Sequence, residues 1–143
     1  MNRPTWLFAV ALGCALSLQV SLVVAAEKQP VVVVTGPTII AFFPVTKAEL
    51  QRDADTNEAL ADFQFYAKQV REPLKKTGIE FSEVYAQSFR VRIGQEVTVF
   101  RPANGNVGYY LIVPGKKPRI EYGVMTNADL LQLASEYFGT SAK

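Results

Sequence analysis

The stretch TIIAFFPVTKAEL, residues 38–50, decides how the rest of the chain is read. Its first half, Ile39 to Phe43, is a continuous apolar run, the pattern of a strand covered on both faces rather than one with a wet side. Pro44, Val45 and Thr46 then lead toward helical sequence. In α/β proteins ligands collect beyond the carboxyl ends of such strands. This junction nevertheless holds no Cys, no His, no Gly-rich loop and no carboxylate pair.

Working outward, a short turn is expected over Lys47 to Arg52. Asp55 and Glu58 have capping-box spacing at the start of a long helix. Leu60, Phe63, Ala67, Val70 and Leu74 form one apolar stripe at helical period. Lys75 and Lys76 suit the negative end of the helix, and Gly78 can take the left-handed conformation beyond it. Pro73 predicts a kink or an early stop near Val70. Ile79 to Ala86 reads as the next strand. Phe89-Arg90-Val91-Arg92-Ile93 alternates apolar and basic residues and turns at Gly94 to Glu96 into Val97 to Arg101, a hairpin. After a loop at 102–106, Tyr109 to Val113 and Arg119 to Tyr122 are strands joined by Pro114-Gly-Lys-Lys-Pro118. A last helix starts at Thr126 with Asp129 as its capping partner, buries Leu130, Leu133, Ala134 and Tyr137, and ends at Gly139. Upstream, Val31 to Val34 is a short strand or an extended lead-in. The whole reads as one α/β domain, a mixed sheet flanked by helices with an extra hairpin.

The first 26 residues are different material. Arg3 precedes an apolar stretch from Trp6 to Val24, and Val24-Ala25-Ala26 supplies small residues before Glu27. A signal peptide cleaved after Ala26 is expected, leaving residues 27–143 as an exported, periplasmic or secreted domain. The alternatives are an uncleaved membrane anchor and lipidation at Cys14, whose approach Ala11-Leu12-Gly13 fits poorly. Cys14 is the only cysteine and there is no histidine. Residues 27–143 therefore cannot form a disulfide, perform Ser-His-Asp catalysis, or hold zinc through Cys or His.

Charge is close to balanced over residues 27–143, with fourteen basic against thirteen acidic residues, which argues against nucleic-acid binding. It is unevenly spread. Two basic and five acidic residues lie between Lys47 and Asp62, whereas six basic residues and only Glu96 lie between Phe89 and Arg119.

The order of elements resembles the thioredoxin-like fold. TIIAFFPVTKAEL is similar to that family's first central strand and the entry to its active-site helix. GYYLIVPGKKPRIEYGVMTNADLLQLASEYF, residues 108–138, is similar to its closing β-β-α unit. The resemblance implies a thiol–disulfide site, but the positions that would carry it are changed. The Cys-x-x-Cys motif would fall at Lys47-Ala48-Glu49-Leu50, the cis-proline position is taken by Gly108, and the 89–101 hairpin stands where a helix is common. Exchange needs a thiolate, so the fold carries over and the chemistry does not.

What remains are binding candidates. Arg90 and Arg92 share one face of their strand, with Arg101 across the hairpin, a set fit for an anionic group or an acidic partner. The competing reading is a charged edge that prevents aggregation. Tyr109, with Tyr110 and Tyr122, offers an aromatic contact patch, although alternation sends Tyr109 and Tyr110 to opposite faces. Glu80 with Glu83, and Asp53, Asp55 and Glu58, leave carboxylate chemistry open beside plain roles in solvation and capping. The expectation is a redox-inactive module that binds another exported protein or peptide and needs no cofactor. The alternative is a non-catalytic accessory or chaperone-like subunit of a periplasmic thiol–disulfide system.

Overall fold

Among the residues that the computed structural model describes (29–45, 49 and 54–140), seven strands and two helices form. They are β1 (Val31–Val34), β2 (Thr38–Phe43), α1 (Ala54–Lys76), β3 (Glu80–Tyr85), β4 (Phe89–Ile93), β5 (Glu96–Phe100), β6 (Gly108–Ile112), β7 (Arg119–Tyr122) and α2 (Asn127–Phe138), with a 3-10 turn at Ala103–Gly105. The leader read at residues 1–26, positions 47 and 50, and all of the 47–52 turn except Glu49 lie outside the described residues. No helix among the described residues is long and apolar enough to cross a membrane.

The continuous apolar character of β2 has the expected consequence: all six of its residues are buried. β2 pairs in parallel with β3 and antiparallel with β6, which pairs antiparallel with β7, giving a four-stranded sheet in the order β3-β2-β6-β7. Alternation then divides β2 between two cores. Ile39, Ala41 and Phe43, with Tyr109 and Leu111 of β6, meet Phe63, Val70 and Leu74 of α1 and Leu130, Leu133 and Tyr137 of α2. Ile40 and Phe42, with Tyr110 and Ile112, meet Val34, Phe89 and Val91 on the other side.

That second core corrects the expected architecture. Both helices cover the same face of the four-stranded sheet, and a second, three-stranded sheet in the order β1-β4-β5 covers the other. The alternation of β4 explains why. Phe89 and Val91 need an apolar surface to lie on, and the even-numbered residues of β2 and β6 provide it. β1 is more than a lead-in: it pairs in parallel with β4, Val31 beside Arg90 and Val33 beside Arg92.

The local signals fare unevenly. Thr126 caps α2, accepting from the Asp129 N–H at 3.3 Å and donating to its carboxylate at 2.7 Å. α1 begins at Ala54, so Asp55 sits in its first turn rather than at its cap, and residues 51–53 lie outside the described residues. Pro73 does not stop α1 near Val70; the helix continues to Lys76. A proline this close to the end forfeits one hydrogen bond, worth about 1 kcal/mol. Burial of Leu74 and Ile79 outweighs it at roughly 1.5–3 kcal/mol each. Those two residues also seal the end: Ile79 N–H donates to the Leu74 carbonyl and Gly78 N–H to that of Lys75, both at 3.1 Å, with Gly78 at φ +75°.

Gly108 opens β6 where no side chain fits. A Cβ there would lie 2.3 Å from the Glu121 carbonyl oxygen and 2.9 Å from Cζ of Phe42. Gly108→Ala should therefore destabilise the fold by about 2–3 kcal/mol, a fall in Tm of roughly 10 °C measured by thermal unfolding. Gly36→Ala, where nothing lies within 4 Å of the new Cβ, should change it by less than about 0.5 kcal/mol.

Candidate protein-binding face

The register of the three-stranded sheet fixes what it presents to solvent. Val32, Val34, Phe89, Val91 and Phe100 point into the second core, so the intervening residues point out. Two rows result, each crossing from β1 to β4 to β5: Val31–Arg90–Val99 and Val33–Arg92–Val97. The four valines are 44–50 % exposed, high for β-branched side chains on a sheet. Continuing the register one step brings Gln29, Ser88 and Arg101 into a third row. Side-chain bonds join part of it: Gln29 Nε2 donates to Ser88 Oγ at 2.7 Å, and Arg90 Nε donates to Gln29 Oε1 at 3.2 Å. None of these nine positions is acidic. No ion pair forms to Arg90, Arg92 or Arg101 among the described residues.

The structure thus brings the three arginines to one face, with Arg101 at its margin. Arg101 and Ser88 line an open cleft of about 440 Å³ with Pro44, Gln87 and Pro102. The charged-edge reading does not hold for Arg90 and Arg92, because β4 is the central strand of its sheet and the edges are β1 and β5. The valines around them were not singled out in the sequence. Val97 and Val99 alternate with Thr98 and carry a weak signal. Val31 and Val33 carry none until β1 is known to pair with β4.

Other candidates separate. Tyr109 is 1 % exposed; it stacks on Phe63 at 5.9 Å between ring centres and its hydroxyl accepts from Met125 N–H, so it is core rather than contact surface. Tyr110 is also buried, on the opposite face, and Tyr122 is half-exposed with its hydroxyl accepting from Ala103 N–H. Lys47 and Leu50 lie outside the described residues. Gly108, which the resemblance would put at the cis-proline position, is in an extended strand against the Phe42 ring. Glu80 and Glu83 differ by an odd number of positions and face opposite sides of β3. Glu83 is taken up by Arg71 at 2.6 Å and by the Tyr85 hydroxyl, which donates to it at 2.7 Å. Beyond the carboxyl end of β2, Phe43, Pro44 and Val45 border a cleft of about 390 Å³ whose described lining has Asp55 as its one ionisable side chain. Among the described residues, no three His, Cys, Asp or Glu side chains cluster as a metal site would need.

Neither a family model, nor a curated protein, nor a solved structure matches the chain.

Four tyrosines hold their protons beyond the ordinary range. Burial, and then the Glu83 carboxylate, push the Tyr85 phenol up to about 12. Burial also raises Tyr109, Tyr110 and Tyr137. Below pH 10 both the folded and the unfolded chain keep these protons, so stability does not depend on them. Between about 10 and 12 the unfolded chain releases protons that the folded one retains, and stability falls as pH rises. Urea midpoints measured across that range should fall steeply, and less steeply for Tyr85→Phe. A midpoint flat to pH 12 would contradict the buried placement of these phenols.

Proposed function

We propose that this chain is an exported, redox-inactive domain of thioredoxin-like architecture that binds another exported protein through the outer face of β1, β4 and β5. The observation that carries the reading is the pair of Val–Arg–Val rows. Arginine with exposed apolar neighbours and no internal carboxylate is the make-up of a contact surface rather than of a solvated face. Arg is also suited to bidentate recognition of carboxylates in a way that Lys is not.

The architecture is supported by strand order. β2, α1 and β3 form a parallel β-α-β unit, and β6, β7 and α2 close the same sheet on the β2 side, the order that the resemblance implies. In this reading the three-stranded sheet stands where a helix is common. Redox inactivity follows from the absence of cysteine over residues 27–143. Export rests on the leader-like composition of residues 1–26.

The test is capture from the exported fraction, using the protein expressed from its full-length gene with a C-terminal tag. Wild type should retain an acidic partner that moderate salt releases. Arg90→Gln, Arg92→Gln and Arg101→Gln combined should retain about tenfold less or lower still. Its Tm should stay within a few degrees, because the three exposed arginines have no ion pair to lose among the described residues and such surface substitutions cost at most about 0.5 kcal/mol each. Equal capture by wild type and the triple variant would overturn this assignment. Capture of a partner bearing Cys-x-x-Cys would point to the accessory-subunit alternative.

A further inference from the structure

The two sheets expose four edges, and three of them carry protection against strand pairing. β1 is only four residues long and is bounded by Pro30 and Pro37. β3 carries Glu80 and Glu83, with Arg71 of α1 reaching over it. β7 alternates Arg119 and Glu121 with its apolar residues. Short strands, prolines and edge charges are the devices by which sheets refuse additional strands. β5 is also short, with Glu96 at its start and Pro102 beyond its end, but it carries neither charge nor proline across Val97, Thr98 and Val99, and all three are exposed.

The backbone of β5 is also oriented to accept a partner. Gly94 and Gln95 form a two-residue loop with positive φ at Gly94 alone, the pattern of a type II′ turn. Such a loop is closed by a hydrogen-bonded pair, here Ile93 and Glu96. Bonding to β4 then recurs at Thr98 and Phe100, and the N–H and C=O groups of Val97 and Val99 point away from β4. An independent bond agrees: the Arg90 N–H, opposite Val99, donates to Pro30 at 2.8 Å and so faces β1, not β5.

We infer that β5 takes up an acidic, extended segment of the partner protein as an added antiparallel strand. This rests on the reading of the arginine face as a protein-binding surface, and it specifies how the partner is held. Four main-chain bonds would form at Val97 and Val99, as in recognition by strand addition. Residues of the added strand directly opposite those valines project onto the same outer face. The backbone of a Glu there lies two strand spacings, about 9.6 Å, from that of Arg90 or Arg92. Extended Arg and Glu side chains together span that distance, and Arg101 lies nearer, at the end of β5. A second copy of this chain fits less well. Two β5 strands paired about Thr98 would set Val97 of one copy against Val99 of the other. They would bring no carboxylate to the arginines, because Glu96 points to the opposite face.

Fluorescence anisotropy of the full-length gene product with a labelled Thr-Glu-Thr-Glu-Thr-Glu-Thr peptide tests this. Glu residues opposite Val97 and Val99 must use their own N–H groups for the ladder, whereas Thr N–H groups face solvent. N-methylation of the Glu residues should therefore weaken binding about tenfold or more, and N-methylation of the Thr residues should change it less than about threefold. Arg90→Gln with Arg92→Gln should also cost about tenfold. If both methylated series bind alike while the arginine variant still loses affinity, the face binds acidic chains but strand addition is overturned. No saturable binding of the unmodified peptide also overturns it, and leaves the capture experiment to judge the face separately. So does a concentration-dependent dimer that arises through β5.

Discussion

The Glu121 carbonyl oxygen of β7 and the ring of Phe42 together occupy the space that any side chain at residue 108 would need, and the ring's placement there shapes the second sheet. Phe42 is fully buried and lies 5.2 Å from the ring of Phe100, 6.1 Å from Phe89 and 6.0 Å from Tyr122. It therefore touches β4, β5 and β7 from a single position on β2. Phe89, Phe100 and Tyr110 close the group, with centroid separations of 4.8–6.3 Å. Each such pair adds about 0.5–1.5 kcal/mol beyond the area it buries. Without a glycine at 108 the β7 backbone at Glu121 would have to shift and the ring to tilt away, disturbing the surface on which Phe89 and Phe100 rest.

This constraint sets the candidate function. Once Phe89, Val91 and Phe100 are committed inward, the period of two in a strand obliges Arg90, Arg92, Val97 and Val99 to face outward together. The parallel pairing of β1 adds Val31 and Val33 on the same side. The Val–Arg–Val face is thus the reverse side of an aromatic core, and it cannot change phase without exposing that core. At the other junction, beyond β2, the chain keeps the location where many α/β proteins place their chemistry and supplies no thiol there.

Much of this was legible in the chain. FRVRI announces its own two faces, Thr126 with Asp129 announces a helix start, and the apolar continuity of Ile39 to Phe43 announces a central strand. These signals are local, which is why α2, β4 and β7 fall where periodicity and capping place them. The partner of β4 was not legible, because Val31 and Arg90 are joined by a parallel pairing across α1 and two other strands, and no local pattern encodes it. For the same reason the local pattern suggests helices on both faces and does not reveal the sheet-on-sheet layer. The burial of Tyr109 is not legible either, since alternation assigns Tyr109 and Tyr110 to opposite sides without saying that both sides are covered. Pro73 shows the limit of a backbone rule near a helix end, where one lost bond competes with the burial of Leu74 and Ile79.

The central claim is that β5 is held by β4 on one side and, among the described residues, is open on the other. Amide hydrogen exchange on the free protein, followed residue by residue at dilute concentration, measures this directly. Thr98 and Phe100, bonded to β4, should exchange slowly, with the Arg90 amide protected by Pro30. Val97 and Val99 should exchange at close to unprotected rates. Protection of Val97 and Val99 equal to that of Thr98 would contradict the account, because the edge would then already be occupied or the hairpin would have a different register.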